Sequence, residues 1–471
     1  MNSVKKEIPT MPSIDWGKPF WACNSLMTTV AFSSFGTVRL CCAQNRDWYN
    51  LYAIKYSRDT IVDDKFVSAV EQCRGKMMSN INSEIECVCT GCSELRFRTW
   101  KRPTHPFRLV IVGSRCACNI NCRYCSLQQF GEFREQGIGE VDPGPILQTL
   151  FQNRYLAPGG QVYLSTGEPV IQPFFSDAVR NVRQYSSDLG LVLYTNATVY
   201  SPLVEPLLAE NRAILVVSVD AGTRETFLKI KRRDLFDQVV ANMERYASFM
   251  PPKIKPKYLC VPENINSRDR DGFMNLLEKW GTHLFILTYD SKYRDGLPPK
   301  FIDFMGEFKY LAGRRGLSVQ ESYRYIGEDR HADICDRVEE SYRSRLPEYS
   351  YVFEAAAETP PTEMGRLERL ERAGDDGLYV RGWAYDRERT RNAEEVVVAW
   401  RGKPIFAGIC RFMRQDVSPD AKTVFSFHST SKAQASAVLA DSETVQAYAR
   451  FGEDEWIRLE GPFRRKRIER E

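Results

Sequence analysis

The chain has 471 residues, room for two or three domains at the usual ~100–200 residues each. Its 65 Lys plus Arg nearly balance 61 Asp plus Glu, for a net charge of +4, which argues for neither nucleic acid nor membrane as a partner. No apolar run approaches the ~20 residues of a membrane span, and the first residues lack the apolar centre of a secretory signal, so a cytoplasmic protein is expected.

Hydrophobic residues make up 43%, enough for ordinary cores. Of the 14 cysteines, eleven precede residue 126. In a reducing compartment such crowding argues for metal ligation before disulfides, so the metal chemistry belongs to the first part of the chain.

The first segment, 1–103, reads as a cysteine-rich unit. Cys23 follows Phe20-Trp21-Ala22, and two β-rich runs around Ser34-Phe35-Gly36 predict a hairpin from Thr28 to Cys41-Cys42. Cys87, Cys89 and Cys92 come later, while Cys73 reads as a core thiol. From 104 to 337, apolar strands alternate with helical stretches. The strands are Phe107–Val112, Val162–Leu164, Leu191–Thr195, Ile214–Ser218 and a run beginning at Lys257. The helical stretches start near Pro145, Phe175 and Phe236. This alternation predicts a parallel sheet with crossover helices, an α/β fold. The stretch 338–374 reads as linker, with a short exposed helix from Met364 to Arg372. From 375 to 471, regular short strands and turns predict a β-sandwich with a charged tail. Its opening, Gly382-Trp383-Ala384-Tyr385-Asp386, is similar to small β-domains appended to bacterial glycan-related enzymes.

One run carries most of the chemistry: Cys118-Asn119-Ile120-Asn121-Cys122-Arg123-Tyr124-Cys125. It follows a strand and precedes a predicted helix, where α/β folds place their sites. Three thiolates within eight residues can grip three irons of a cubane cluster and leave the fourth open. The competing reading is a structural zinc knot with Cys116 as fourth ligand. The histidines His105, His283, His331 and His428 are scattered, and no nucleophile elbow, phosphate loop or zinc-protease helix occurs.

This cysteine spacing, with an aromatic residue before the third cysteine, resembles the radical S-adenosylmethionine (SAM) enzymes. Thr166-Gly167-Glu168-Pro169 resembles that family's glycine–glutamate–proline segment, with Thr166 where a second glycine is common. The strand ends Thr195-Asn196 and Ser218-Val219-Asp220 look like the tips of its fourth and fifth barrel strands, and Lys257 to Asn264 like its sixth. These motifs run in the expected order over roughly residues 104 to 290. The resemblance implies a partial (β/α)6 barrel. It implies a [4Fe–4S] cluster on Cys118, Cys122 and Cys125, shielded by Tyr124. SAM would be held by Gly167, Glu168, Thr195, Asn196, Ser218, Asp220 and Asn264, with Glu168 facing its ammonium group. Read alone, Glu168 is a surface carboxylate, Ser218 and Asp220 are helix caps, and Thr195 and Asn196 are turn formers.

The first hundred residues resemble the auxiliary-cluster modules called SPASM and twitch, which usually follow the barrel. That likeness implies a second [4Fe–4S] cluster on Cys23, Cys41, Cys89 and Cys92. Cys42 is an alternative to Cys41, Cys87 to Cys89, and zinc to the cluster. The implied activity is reductive cleavage of SAM to a 5′-deoxyadenosyl radical, which takes a hydrogen atom from a peptide or sugar-type substrate and so modifies, oxidises or epimerises it. The implied electron donor is reduced flavodoxin or ferredoxin. A non-catalytic iron–sulfur or zinc-binding protein with a degenerate barrel is the alternative.

Overall fold

A computed structural model of the chain describes residues 14–33, 36–41, 54–57, 59–83, 85, 89, 95–113, 117–125, 141–293, 296–321, 328–346, 362–373, 377–410, 412–414, 418–429, 432–451 and 455–460. The chain divides into two compact units, 1–257 with 279–281, and 258–278 with 282–471.

The first unit begins with β1 (Pro19–Ala22), α1 (Asn24–Thr28), β2 (Thr29–Phe32), β3 (Thr37–Arg39), β4 (Ile54–Lys55), α2 (Asp64–Asn82) and β5 (Arg96–Thr99). It continues through β6 (Phe107–Val112), α3 (Gly144–Gln152), β7 (Leu156–Leu164), α4 (Phe175–Tyr185), β8 (Gly190–Thr195) and α5 (Glu205–Ala209). It ends with β9 (Ala213–Ser218), α6 (Arg224–Lys231), α7 (Phe236–Ala247) and most of β10 (Ile254–Cys260).

Strands β2 and β6 to β10 pair in parallel, neighbour to neighbour in that order. Strands β3 and β4 extend the β2 edge antiparallel, while β1 and β5 form a separate two-stranded ribbon. The β-branched and leucine-rich runs explain the strands: Val110, Val112, Val162, Leu164, Leu191, Leu193, Leu215 and Val217 all lie on one fully buried face. Helix α7 shows the matching 3.6 period, burying Val239, Met243 and Tyr246.

The predicted hairpin is present as β2–β3, with Ala31 opposite Arg39 and Phe32 opposite Val38. It does not stand apart from the parallel sheet, because β2 aligns with β6 from Thr29–Leu109 to Phe32–Val112. Arg74 on α2 explains the junction. Fully buried and paired with Glu71, it donates to the Thr29 carbonyl at 2.8 Å and the Pro106 carbonyl at 2.9 Å, clamping the starts of both strands. Counted from the cysteine-bearing strand β6, the polar tips at 195–196 and 218–220 belong to the third and fourth parallel strands, and the run from Lys257 to the fifth.

The second unit contains α8 (Ser267–Lys279) except its last residue, β11 (Leu284–Tyr289), α9 (Pro299–Arg314), β12 (Ser318–Glu321) and α10 (Glu328–Arg343). Strands β13 (Thr362–Ala373), β14 (Gly377–Asp386), β15 (Arg391–Asn392), β16 (Glu395–Trp400), β17 (Lys403–Gly408), β18 (Phe412–Arg414) and β19 (Ser418–Ser429) follow. Helix α11 (Lys432–Ala440) and strands β20 (Val445–Arg450) and β21 (Trp456–Glu460) complete it. Strands β11 and β12 are parallel. The nine strands from β13 onward form one connected, mostly antiparallel path rather than two separate sheets, because β21 pairs with β13 on one edge and β20 on the other. Val380, Val396, Val398, Phe406 and Phe425 lie in its core.

The helix expected from Met364 to Arg372 is corrected to strand β13. Its Leu, Glu and Arg residues favour a helix in isolation, but the segment lies between β14 and β21, and ladder pairing with packing outweighs local propensity. Within the stretch 338–374, α10 runs to Arg343 and β13 begins at Thr362. Among the described residues no helix is long and apolar enough to cross a membrane.

Gly382 marks the tightest point of the β-domain: a Cβ there would overlap the Arg366 carbonyl and the Phe425 ring. Gly382→Ala should therefore destabilise the second unit by about 1–3 kcal/mol through overpacking, read as a lower urea midpoint in circular dichroism.

Candidate functional site

The cysteine loop leaves β6 and is held from three sides. On the first, its residue Ala117 accepts hydrogen bonds from the Glu168 amide at 2.9 Å and from the Gln172 side chain at 2.7 Å. These donors belong to the turn after β7, where Thr166 has φ 75° and Gly167 φ 63°. Gly167 is suited to that left-handed backbone. Thr166 is not, and a β-branched residue there stores strain of order 1–2 kcal/mol.

On the second side, the Asn119 amide donates to the Thr198 hydroxyl at 2.7 Å and accepts from the Asn196 side chain at 3.0 Å. The same Asn196 side chain donates to the Cys118 sulfur at 3.7 Å. Its oxygen in turn accepts from the Thr198 amide at 2.9 Å.

On the third side, the loop caps helix α6. The last carbonyls of a helix have no partner within it. Here the Arg123 amide donates to the Ile230 carbonyl at 2.8 Å and the Asn121 amide to the Lys231 carbonyl at 3.3 Å. Arg232 then leaves the helix with φ 55°. Beneath this junction lies a buried triad. The Lys231 ammonium donates to the Asp220 carboxylate at 2.5 Å and to the Tyr124 hydroxyl at 2.7 Å, and the Tyr124 hydroxyl donates to Asp220. Asp220 and Lys231 are both buried. Burial pushes Asp220 up, but Lys231 and then Lys257 outweigh it and hold its carboxyl below the usual range. Burial pushes Lys231 down, but Asp220 and Cys122 outweigh it and hold its ammonium above the ordinary lysine value. Both partners therefore remain ionised.

The three cysteine sulfurs share this neighbourhood. Burial pushes the Cys118 thiol up, assisted by Glu168, Cys122 and Cys125 and opposed by the Ile120 amide. Burial also pushes Cys122 up, opposed by Lys231. The Tyr124 hydroxyl, raised well above its ordinary value by burial and then by Asp220, also lies within hydrogen-bonding range of Cys122. The donor set on the loop is all sulfur, which suits an iron–sulfur cluster and not a hard cation. Among the described residues no three His, Cys, Asp or Glu side chains are grouped to hold a single metal ion.

Several residues expected to contact SAM directly are engaged within the protein. Glu168 is buried, not a surface carboxylate. One of its oxygens accepts from the Thr195 hydroxyl at 2.8 Å and the Val170 amide at 3.3 Å, the other from the Asn196 amide at 2.6 Å. This carboxylate joins the turn after β7 to the tip of β8. Asp220 is likewise committed to Lys231 and Tyr124. Asn264, in the second unit, accepts from the Val261 amide at 2.8 Å and donates to the Leu259 carbonyl at 2.8 Å. These two bonds close the loop after β10. Ser218 stays half-buried at the end of β9, opposite Lys257 on β10.

Among the expected auxiliary ligands, Cys23 is buried and its sulfur caps α1 by accepting from the Leu26 amide at 3.2 Å. Cys89 is buried and Cys41 half-buried. Cys92, with the alternatives Cys42 and Cys87, lies outside the described residues, as does Cys116.

Sequence reasoning gave Lys231 no role. A signal existed: Phe227, Ile230 and Lys231 fall on one buried stripe of α6, so the lysine sits where an apolar residue belongs.

Residues 116–272 match the family model described as Radical SAM superfamily. The GTP 3',8-cyclase of Aliarcobacter butzleri is 25% identical over 214 residues, 45% of this chain and 59% of that relative. The GTP 3',8-cyclase of Synechocystis sp. is 28% identical over 177 residues, 36% of this chain and 50% of the relative. The chain thus spans about half the length of the curated relatives it matches. Streptococcus suis SuiB bound to S-adenosylmethionine covers 58% of each chain at 11% identity with a TM-score of 0.35, a likeness too low to carry an argument.

Replacing Asp220 by Asn strands the Lys231 ammonium, so Asp220→Asn should destabilise the chain by about 3–5 kcal/mol. Tyr124→Phe removes one hydroxyl and should cost about 1–3 kcal/mol. Urea unfolding of the purified variants checks both, and an Asp220→Asn protein as stable as the parent would refute the triad's role.

Glu168 generates a pH prediction. Burial raises its carboxyl from 4.5 to about 7, against the opposing hydrogen bonds of Asn196, Thr195 and Val170. Between those values the folded chain binds more protons than the unfolded one, so stability should fall by about 3 kcal/mol as pH rises from 4.5 to 7. Glu168→Gln should flatten that slope in unfolding curves recorded across the range.

Proposed function

We propose that this member of the radical SAM superfamily reductively cleaves S-adenosylmethionine and takes a hydrogen atom from a peptide or sugar-type substrate. The superfamily uses a [4Fe–4S] cluster and SAM. The observation that carries the reading is the all-sulfur loop of Cys118, Cys122 and Cys125, pinned on three sides within the matched segment. When bound, the cluster supplies the one electron that breaks a sulfur–carbon bond of SAM, giving methionine and, after hydrogen transfer from the substrate, 5′-deoxyadenosine.

Cys118, Cys122 and Cys125 hold three irons in this reading, and the fourth is left for SAM. Asn196 orients Cys118, and the Tyr124–Asp220–Lys231 triad orients Cys122. Glu168 keeps the turn of Thr166 and Gly167 against the cysteine loop, so that the turn's backbone lines the SAM site. Ser218 offers a hydroxyl on the same side. Reduced flavodoxin or ferredoxin is the electron donor. The matched relatives are cyclases of GTP, a sugar-bearing molecule, which favours a sugar-type substrate over a peptide. Cys23, Cys41, Cys89 and Cys92 are assigned to a second, auxiliary cluster, and the burial of Cys23 and Cys89 suits ligands shielded from water.

The test is anaerobic reconstitution with iron and sulfide, then reduction with dithionite in the presence of SAM. The expected product is 5′-deoxyadenosine, and Cys122→Ala should abolish it. Cys92→Ala should lower iron content while preserving cleavage-competent cluster signals in electron paramagnetic resonance. Absence of 5′-deoxyadenosine from fully loaded protein would falsify the reading.

A further inference from the structure

The parallel sheet of the first unit has two unlike faces. One is the covered apolar face described above. The other carries Gln161 and Tyr163 on β7, Tyr194 on β8, Ser218 on β9 and Lys255 and Lys257 on β10. Strand register places these side chains together. Tyr194 pairs with Val216, and Val216 pairs with Lys255, so all three share one row. Ser218 and Lys257 form the next row towards the strand tips. Lysines two residues apart on a strand are about 7 Å apart along it and on the same face.

This face is neither a solvated surface nor a core. Tyr194 is 40% exposed although it lies on an interior strand of the sheet. Its ring stands 6.3 Å from that of Tyr163 at a tilt of 40°, a two-ring platform. Lys255 and Lys257 are half-buried. Among the described residues the Lys257 ammonium makes no hydrogen bond or ion pair. Its charge acts on Asp220, which is already in contact with Lys231. Lys257 also acts electrostatically on Cys122, which puts it beside the cysteine loop. Lys253 adds positive charge next to Lys255. Among the described residues Lys257 thus keeps hydrogen-bond donors that an anion would take up. Aromatic rings on the same face as lysines suit a ligand with a ring body and a charged group.

We propose that Lys255, Lys257 and the Tyr163–Tyr194 pair form the substrate site, and that it takes a small phosphorylated sugar: the phosphate on the lysines, the sugar ring on the tyrosines. The inference rests on the radical SAM reading above and specifies its substrate class. In this account Lys255 and Lys257 determine which substrate is bound.

The probe is ribose 5-phosphate, with ribose as the neutral control, titrated calorimetrically into anaerobically reconstituted full-length protein holding SAM. Ribose 5-phosphate should bind, and ribose at least about tenfold more weakly, the ratio expected from one charge-assisted contact. Lys257→Met and Lys255→Met should each weaken ribose 5-phosphate about tenfold or more with little change for ribose. Lys257→Arg should recover most of the loss, and Tyr194→Ala should weaken both ligands. Equal binding to parent and lysine variants, or no binding to the parent, overturns the proposal. So does a loss in the lysine variants of SAM affinity instead of ribose 5-phosphate affinity, which would assign these cations to the SAM carboxylate. Parent protein is assayed for 5′-deoxyadenosine in parallel. Lysine-dependent ribose 5-phosphate binding without that product defeats the function proposed above and upholds the anion site. The product without such binding does the reverse.

Discussion

The cysteine loop depends on a buried ion pair. Asp220 and Lys231 are ionised and out of water, a state that costs several kcal/mol per charge before any return. Here the cost is met by contact at 2.5 Å, by Lys257 nearby, and by a tyrosine hydroxyl that accepts from the cation and donates to the anion. That tyrosine lies within the cysteine run. Two backbone bonds from the same run finish the open end of α6. The helix, the pair and the loop therefore form one unit, and none of the three can shift alone without exposing a charge or an unpaired carbonyl to an apolar interior.

A second set of contacts follows the same logic. Glu168, Thr195, Asn196 and Thr198 link the turn after β7, the tip of β8 and the first half of the cysteine run through hydrogen bonds of 2.6–3.0 Å. Polar residues at strand tips are usually read as ligand contacts. Here most of their hydrogen-bonding capacity is spent on one another, which fixes sulfur positions and backbone directions before any cofactor arrives. Such preorganisation shapes a site as surely as direct contact does. It also explains the buried carboxylate of Glu168: its oxygens join two segments, its backbone amide reaches a third, and the buried environment is tolerated because its internal donors are in place.

The sheet that supplies these tips divides its labour by face. Alternation along each strand makes the covered side apolar and gathers the tyrosines, Ser218 and the lysines on the other, among Val192, Ile214 and Val216. Because the strands are parallel, every tip points the same way, and the reactive loop and the polar face come to share one end. The second unit shows a contrasting use of strands. Its long antiparallel path is held by a core of Val and Phe, and charged residues on β13 are drawn into a ladder that their own propensities do not favour.

By itself the sequence determined the strands of the parallel sheet, the three helical stretches placed on it, the hairpin near residue 30 and the cysteine run. Each of these is written in local periodicity or spacing, and periodicity survives because side chains alternate or recur at the step of the backbone itself. Only the tertiary structure decided which polar residues face one another. Asp220 meets Lys231 eleven residues on and Tyr124 ninety-six residues back, and Glu168 meets Asn196 across two strands. No local pattern encodes such pairings, since they arise from register and crossover. The same reason explains β13, whose helical composition yields to neighbours that the chain supplies from both sides in space.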